Sequence, residues 1–141
     1  LTRPARCIKL WLTLQVMGCH AISENIEHGI RLAECAEKKL RENSTIEIVS
    51  PAQFGIVNFR YAPVGMSERQ RNMLNSKISE KILKDGYAGV FTTELNGKKV
   101  LRMCIIHPET TLDELKETIE LIDRCFTESL EEVGGLWRKI S

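Results

Sequence analysis

Excess charge of either sign is what this sequence most plainly lacks. Its 141 residues carry 20 Lys and Arg against 19 Asp and Glu, a net charge of +1. That balance argues against the basic face of a nucleic-acid or membrane-surface binder. Long apolar runs are missing as well. The most apolar segment, Cys7 to Met17, is interrupted by Lys9 and falls short of the roughly 20 residues a membrane span needs. No charged start leads into an apolar stretch and a small-residue cleavage site, so no secretory signal is expected. The five cysteines are odd in number and scattered over expected helices and one strand. This fits reduced thiols in a cytosolic protein better than a disulfide framework. Internal repeats and low-complexity stretches are absent, which excludes a solenoid and leaves no obvious linker.

What remains is ordinary globular material, 43% hydrophobic and 28% charged, long enough for one domain with a real core. The first residue is Leu1, and structure is expected to begin at once, as in a piece cut from a longer chain. Thr2-Arg3-Pro4 reads as a helix entry with Pro4 at the first helical position. That helix should run to about Met17 and stop at Gly18. Its apolar residues cover nearly the whole circumference, so it needs burial on all sides, more than the rest of the chain can supply. A partner domain is the simplest cover. A second helix is expected from about Ala21 to Glu42, with Ile22, Ile26, Ile30, Ala33 and Leu40 as its apolar stripe.

Two short strands should follow, Thr45–Val49 and Ile56–Ala62, parted by a loop with Pro51 and Gly55. Ser67 to Gln70 is a capping box that opens a helix to about Lys84, closed by Asp85-Gly86. Asn96-Gly97 then signals a two-residue turn between strands at about Ala88–Leu95 and Lys98–Ile106. After His107-Pro108, Thr111 to Glu114 is a second capping box, opening a helix from Leu112 to about Leu130. From Val133, with Gly134-Gly135, a loose tail is expected in which Trp137 could dock. The order α-α-β-β-α-β-β-α, with strands joined by hairpins and kept apart from helices, predicts an α+β fold: a four-stranded, mainly antiparallel sheet with helices on one face, preceded by two helices.

Arg102 stands out within this pattern. It sits in Val100–Ile106, which otherwise reads as a buried strand, and a guanidinium stays charged in any protein. The two-residue turn puts Leu95 opposite Lys98, Glu94 opposite Lys99 and Phe91 opposite Arg102, with Glu94–Lys99 a favourable pair. One hairpin face then carries Val90, Thr92, Leu101, Met103 and Ile105. The other carries Phe91, Thr93, Arg102 and Cys104, a wall suited to another domain with an anion site in the seam. A strand-edge arginine reaching water fits equally well on residue chemistry alone. Other constellations are weaker. Glu24 and His28 have the i, i+4 spacing of metal ligands but suit a solvated helix face, and Cys19-His20 lacks the second pair of a zinc site. Histidine as a residue type suits acid–base work, yet the place of His107 before Pro108 reads as turn punctuation. No phosphate-cradling glycine loop is present.

Three segments carry a family resemblance: RPARCIKLW over residues 3–11, GIVNFR over 55–60, and LNGKKVLRM over 95–103 with PETT at 108–111. In this order and spacing they resemble the C-terminal part of the group II pyridoxal-phosphate-dependent amino-acid decarboxylases, which act on aromatic L-amino acids, tyrosine, histidine or glutamate. The resemblance covers the chain to about Leu130. It implies the C-terminal small domain of a fold-type I enzyme: residues 1–43 as the end of the large domain and a connecting helix, 44–132 as the small domain, 133–141 as a tail. It also implies pyridoxal phosphate as cofactor, a homodimer when full length, a cytoplasmic setting and an aromatic L-amino acid as substrate. The family holds its cofactor on a lysine that follows a histidine, with an aspartate at the pyridine nitrogen. No His-Lys pair occurs here, no aspartate has the strand context, and Lys9 is a poor substitute. The chain alone is therefore expected to lack catalytic and cofactor-binding residues and to be inactive, its partner being the missing large domain.

Two substrate-binding positions carry over. Arg102 matches an arginine at the active-site edge that meets the substrate carboxylate in some members and positions a mobile loop in others. Thr2 matches a position lining the side-chain pocket, and it could equally be only a helix cap. Pro4 stands where several animal members have a basic residue, so nothing carries over there. The competing readings are a stand-alone ligand-binding α+β module and a protein-interaction adaptor using its open sheet.

Overall fold

The computed structural model describes residues 6–138, with side chains described from residue 7 to residue 133. Helix α1 (Arg6–Leu40) is followed by β1 (Ile46–Gln53), β2 (Ile56–Tyr61), α2 (Glu68–Asp85), β3 (Phe91–Leu95), β4 (Lys98–Cys104) and α3 (Leu112–Arg138). The four strands form one antiparallel sheet in the order β1-β2-β4-β3. None of the described helices is long and apolar enough to cross a membrane.

The expected break at Gly18 is present as a kink inside α1, where this residue leaves helical geometry at φ 77° and ψ 160°. Downstream of it the buried stripe is Leu32, Ala33, Ala36 and Leu40, rotated from the expected one: Ile26 is exposed. Small residues explain the choice. Gly29 lies so close to the end of β4 that an added Cβ would stand 2.7 Å from the Ile105 carbonyl oxygen. Strand β1 runs past its expected end at Val49 and through Pro51. It is an edge strand with register shifts between Ile48 and Ser50 and again before Gln53, the setting in which a sheet tolerates proline. The turn to β2 is thereby reduced to Phe54-Gly55.

Both capping boxes form. Ser67 accepts from the Gln70 amide, and Gly86 closes α2 in the left-handed conformation; Thr111 and Glu114 bond reciprocally at the start of α3. Helix α3 continues to Arg138, beyond the expected end near Leu130 and through Gly134-Gly135. Its buried residues Ile119, Ile122, Cys125, Ser129 and Val133 recur every three or four positions, so the packed face carries the helix past the point where propensity alone would end it.

The core lies between the sheet and the three helices. Strand residues Val57, Phe59, Tyr61, Leu101 and Met103 point to it, with Ile105 just past β4, meeting Leu74, Ile78 and Ile82 of α2 with Leu115, Ile119 and Ile122 of α3. Tyr61 stacks on Phe126 with ring centroids 4.1 Å apart and donates to Asp123 at 2.5 Å. Asn75 of α2, wholly buried, holds both the amide and the carbonyl of Tyr61. Among the described residues, no helix contributes to a core on the opposite sheet face. Upstream of the kink, α1 leaves Ile8, Leu10, Trp11, Leu12, Val16 and Met17 exposed. All five cysteines are unpaired, and only Cys125 is buried.

Candidate functional site

The β3–β4 turn has Asn96 at φ 53° and Gly97 at φ 73°, the pair of left-handed residues a tight hairpin needs. It sets the register read from the sequence: Leu95 faces Lys98, Glu94 faces Lys99 and Phe91 faces Arg102. On the other side of β4, Asn58 faces Arg102 and Ile56 faces Cys104. Strand alternation therefore puts Phe91, Arg102, Asn58, Ile56 and Cys104 on the helix-free face. Arg102 is exposed, unlike its neighbours Leu101 and Met103. Val100 on the same face is buried, but from Arg102 onward that face is open to water, and the guanidinium escapes the desolvation cost that a fully buried strand would impose.

The same face carries a second arginine that residue-by-residue reading overlooks. Arg60 is 1% exposed. Its Nε donates to Glu47 at 2.7 Å, and its two terminal nitrogens donate to Glu68 at 2.7 and 3.1 Å. Lys98 reaches the other oxygen of Glu47 at 2.8 Å. Lys98 and Arg60 hold the Glu47 carboxyl below the usual range, and Arg60 with Arg71 does the same for Glu68. The cross-strand pairing of Glu47 with Arg60 was in principle legible, but only with the β1–β2 register in hand. The result is selective neutralisation. Arg60 and Lys98 are matched by carboxylates, whereas Arg102 makes no ion pair among the described residues.

Around Arg102 lies an open basin of about 270 Å³ lined by Ser50, Gln53, Phe54, Ile56, Asn58, Thr93, Leu95 and Arg102. No carboxylate and no lysine is among these residues. The Oδ1 of Asn58 is buried without a hydrogen-bond partner, one residue across the sheet from the guanidinium. An unmatched cation with amides and hydroxyls around it, beside apolar Phe54, Ile56 and Leu95, can hold a small anion that has an apolar part. It has no nucleophile paired to a base.

The remaining candidates fall elsewhere. Thr2 lies outside the described residues, as does the side chain of Trp137. His28 is committed to the Thr110 carbonyl, 2.7 Å from its Nε2, and Glu24 sits 3.3 Å from His20 instead. The ring of His107 accepts from the Glu109 amide at 3.3 Å while its carbonyl accepts from Thr110, the turn role expected of it.

No protein-family model matches the chain. It is 42% identical to an aromatic-L-amino-acid decarboxylase of Bacillus atrophaeus over 82% of its own length and 24% of that protein's. It is 33% identical to a phenylacetaldehyde synthase of Arabidopsis thaliana over 86% of its length, again a quarter of the relative. A crystal structure of Oryza sativa TDC with PLP and tryptamine superposes with a TM-score of 0.76 at 27% identity, covering 85% of this chain and 26% of that one. The chain thus spans about a quarter of the length of the relatives it matches.

Proposed function

The chain belongs to the group II pyridoxal-phosphate-dependent amino-acid decarboxylases, matching their C-terminal part, and on that premise we propose that it serves a larger carboxy-lyase acting on an aromatic L-amino acid. Within that enzyme Arg102 holds the substrate carboxylate or the loop that closes over it. The observation that carries this is the selective neutralisation on the open face: Glu47 and Glu68 compensate Arg60 and Lys98, and Arg102 is left for an anion from elsewhere. The aromatic substrate is supported by the names of the relatives, an aromatic-L-amino-acid decarboxylase and a phenylacetaldehyde synthase among them.

Pyridoxal phosphate, the cofactor of the family, supplies the electron sink for loss of carbon dioxide. The residues around Arg102 do not by themselves fit it, since no lysine amine is there to take its aldehyde. This chain's contribution is orientation rather than bond breaking, and Arg102 is neither acid nor base. Cofactor and catalytic residues come from the large domain that the family's length implies. The 141-residue chain alone is inactive, and the full-length enzyme is a cytoplasmic homodimer. Thr2, if it keeps its family position, lines the side-chain pocket of the same site.

The test is Arg102→Lys in the full-length enzyme with cofactor bound. Lysine keeps the charge and loses the planar fork, so bidentate contact with a carboxylate suffers. Turnover efficiency should fall by at least about tenfold, with little change in melting temperature, because a lysine can extend from the same exposed position. Wild-type turnover, or a loss of activity that tracks a collapse in stability, would refute the role.

A further inference from the structure

Phe54 is one of two residues other than glycine with positive φ among the described residues, at 49°. The other, Asn96, sits in a turn that requires it; a phenylalanine in this region is strained. The strain is imposed from below. Gly55 follows at φ 77°, and its carbonyl accepts from the Ile105 amide at 2.7 Å. A Cβ at Gly55 would meet the Ile105 carbonyl oxygen at 2.7 Å. The turn is clamped to the end of β4, and Phe54 has to take the conformation that remains.

Core burial does not offset that cost, because Phe54 is 81% exposed. Its ring instead forms a wall between two hollows. On one side is the basin of Arg102. On the other is an apolar groove of about 310 Å³ whose lining includes Ile22, Ile26 and Ile106. A flat apolar surface therefore stands on a clamped backbone turn at the rim of a basin whose charged member is a guanidinium without an ion-pair partner among the described residues.

We propose that Phe54 is a specificity-determining residue of the Arg102 site, packing its ring on the aryl group of a carboxylate whose charged end Arg102 holds. The inference rests on the assignment of Arg102 as an anion contact and adds the feature that separates aryl-bearing from short aliphatic substrates. Aromatic rings packed in offset or edge-to-face geometry gain beyond plain area burial. A ring carried on a backbone already fixed in place orders only its own side-chain torsions when it binds.

The experiment uses the 141-residue chain, isotopically labelled, titrated by NMR with 3-phenylpropionate and separately with propionate. Saturable shifts are expected at the amides of Gln53, Gly55, Ile56, Asn58, Thr93 and Arg102, with 3-phenylpropionate binding about tenfold tighter than propionate. Phe54→Ala should bring that ratio close to one while propionate still binds, and the spectrum away from the basin should not change, since the ring is outside the core. Arg102→Gln should abolish binding of both. Equal affinities for the two carboxylates, or a preference that survives Phe54→Ala, would overturn the role of Phe54 and leave Arg102 as an anion contact. Binding that ignores Arg102→Gln, shifts that map elsewhere, or no saturable binding of either compound would overturn both.

Discussion

Arg60 and Arg102 stand on the neighbouring strands β2 and β4, on the same sheet face, under opposite conditions. Arg60 is nearly sealed from water yet keeps its charge, because Glu47 and Glu68 together satisfy three of its N–H groups. Removing it would leave Glu47 with Lys98 alone and Glu68 with Arg71 alone, and would open a cavity. Arg60→Ala should therefore cost about 2–4 kcal/mol; the usual penalty for breaking a buried pair is discounted because Glu47 and Glu68 are themselves partly exposed. Urea unfolding at pH 7 measures this directly, and a loss under about 1 kcal/mol would mean the cluster behaves as a surface pair. Arg102, exposed and unpaired, should tolerate substitution with little effect on folding. On the proposed reading, this contrast separates Arg102 as a site residue from Arg60 as a structural one.

Helices α2 and α3 are joined on their solvent side by an ion cluster. Lys77 and Lys81 reach Glu132 at 2.8 Å each, and Lys81 also reaches Glu128 at 2.9 Å. The hydrogen bond from Lys77, followed by that from Lys81, pulls the Glu132 carboxyl down to about 2. A carboxyl depressed in the folded state binds fewer protons there than in the unfolded chain. Its contribution is complete above the ordinary range near 4.5 and fades as pH falls from there toward 2. Glu47 and Glu68 are lowered as well and add in the same direction. Denaturation midpoints should hold steady from neutral pH to about 5 and decline below about 4.5. Glu132→Gln should lower the neutral-pH midpoint and flatten that decline. An unchanged acid limb in this variant would show that the cluster contributes nothing, as many exposed pairs do not.

At the scale of the molecule the sheet has one finished side and one unfinished side. The three helices cover the face that carries Phe59, Tyr61 and Leu101. The other face, with the basin and Phe54, has no such cover, and the start of α1 presents Leu10, Trp11 and Val16 to solvent. Apolar exposure of that extent marks a surface meant for contact. It agrees with a chain that spans about a quarter of its relatives. Alone with pyridoxal phosphate, the chain should show only sparse labelling of surface lysines after borohydride reduction, mapped by mass spectrometry. One dominant modified lysine at low cofactor excess would contradict the proposed division of labour between this part and the rest of the enzyme.

Much of this was written in local sequence. The capping residues Ser67 and Thr111, the Asn96-Gly97 turn and the two-residue alternation of β4 act over a few bonds, so the hairpin register, the helix starts and the placement of Arg102 were legible without tertiary contacts. The three matching segments likewise carried the family resemblance. Tertiary structure decided what depends on distant partners. It rotated the buried stripe of α1 toward Ala33 and Ala36 because Gly29 has to approach Ile105. It carried α3 through two glycines because Ser129 and Val133 pack. It assigned Glu47 and Glu68 to Arg60, leaving Arg102 unmatched, and it forced Phe54 into a left-handed turn through Gly55 and the end of β4. Short-range hydrogen bonds and steric rules are encoded within a turn or two of chain; charge compensation and backbone clamping are settled only when strands far apart in sequence come within a few ångströms.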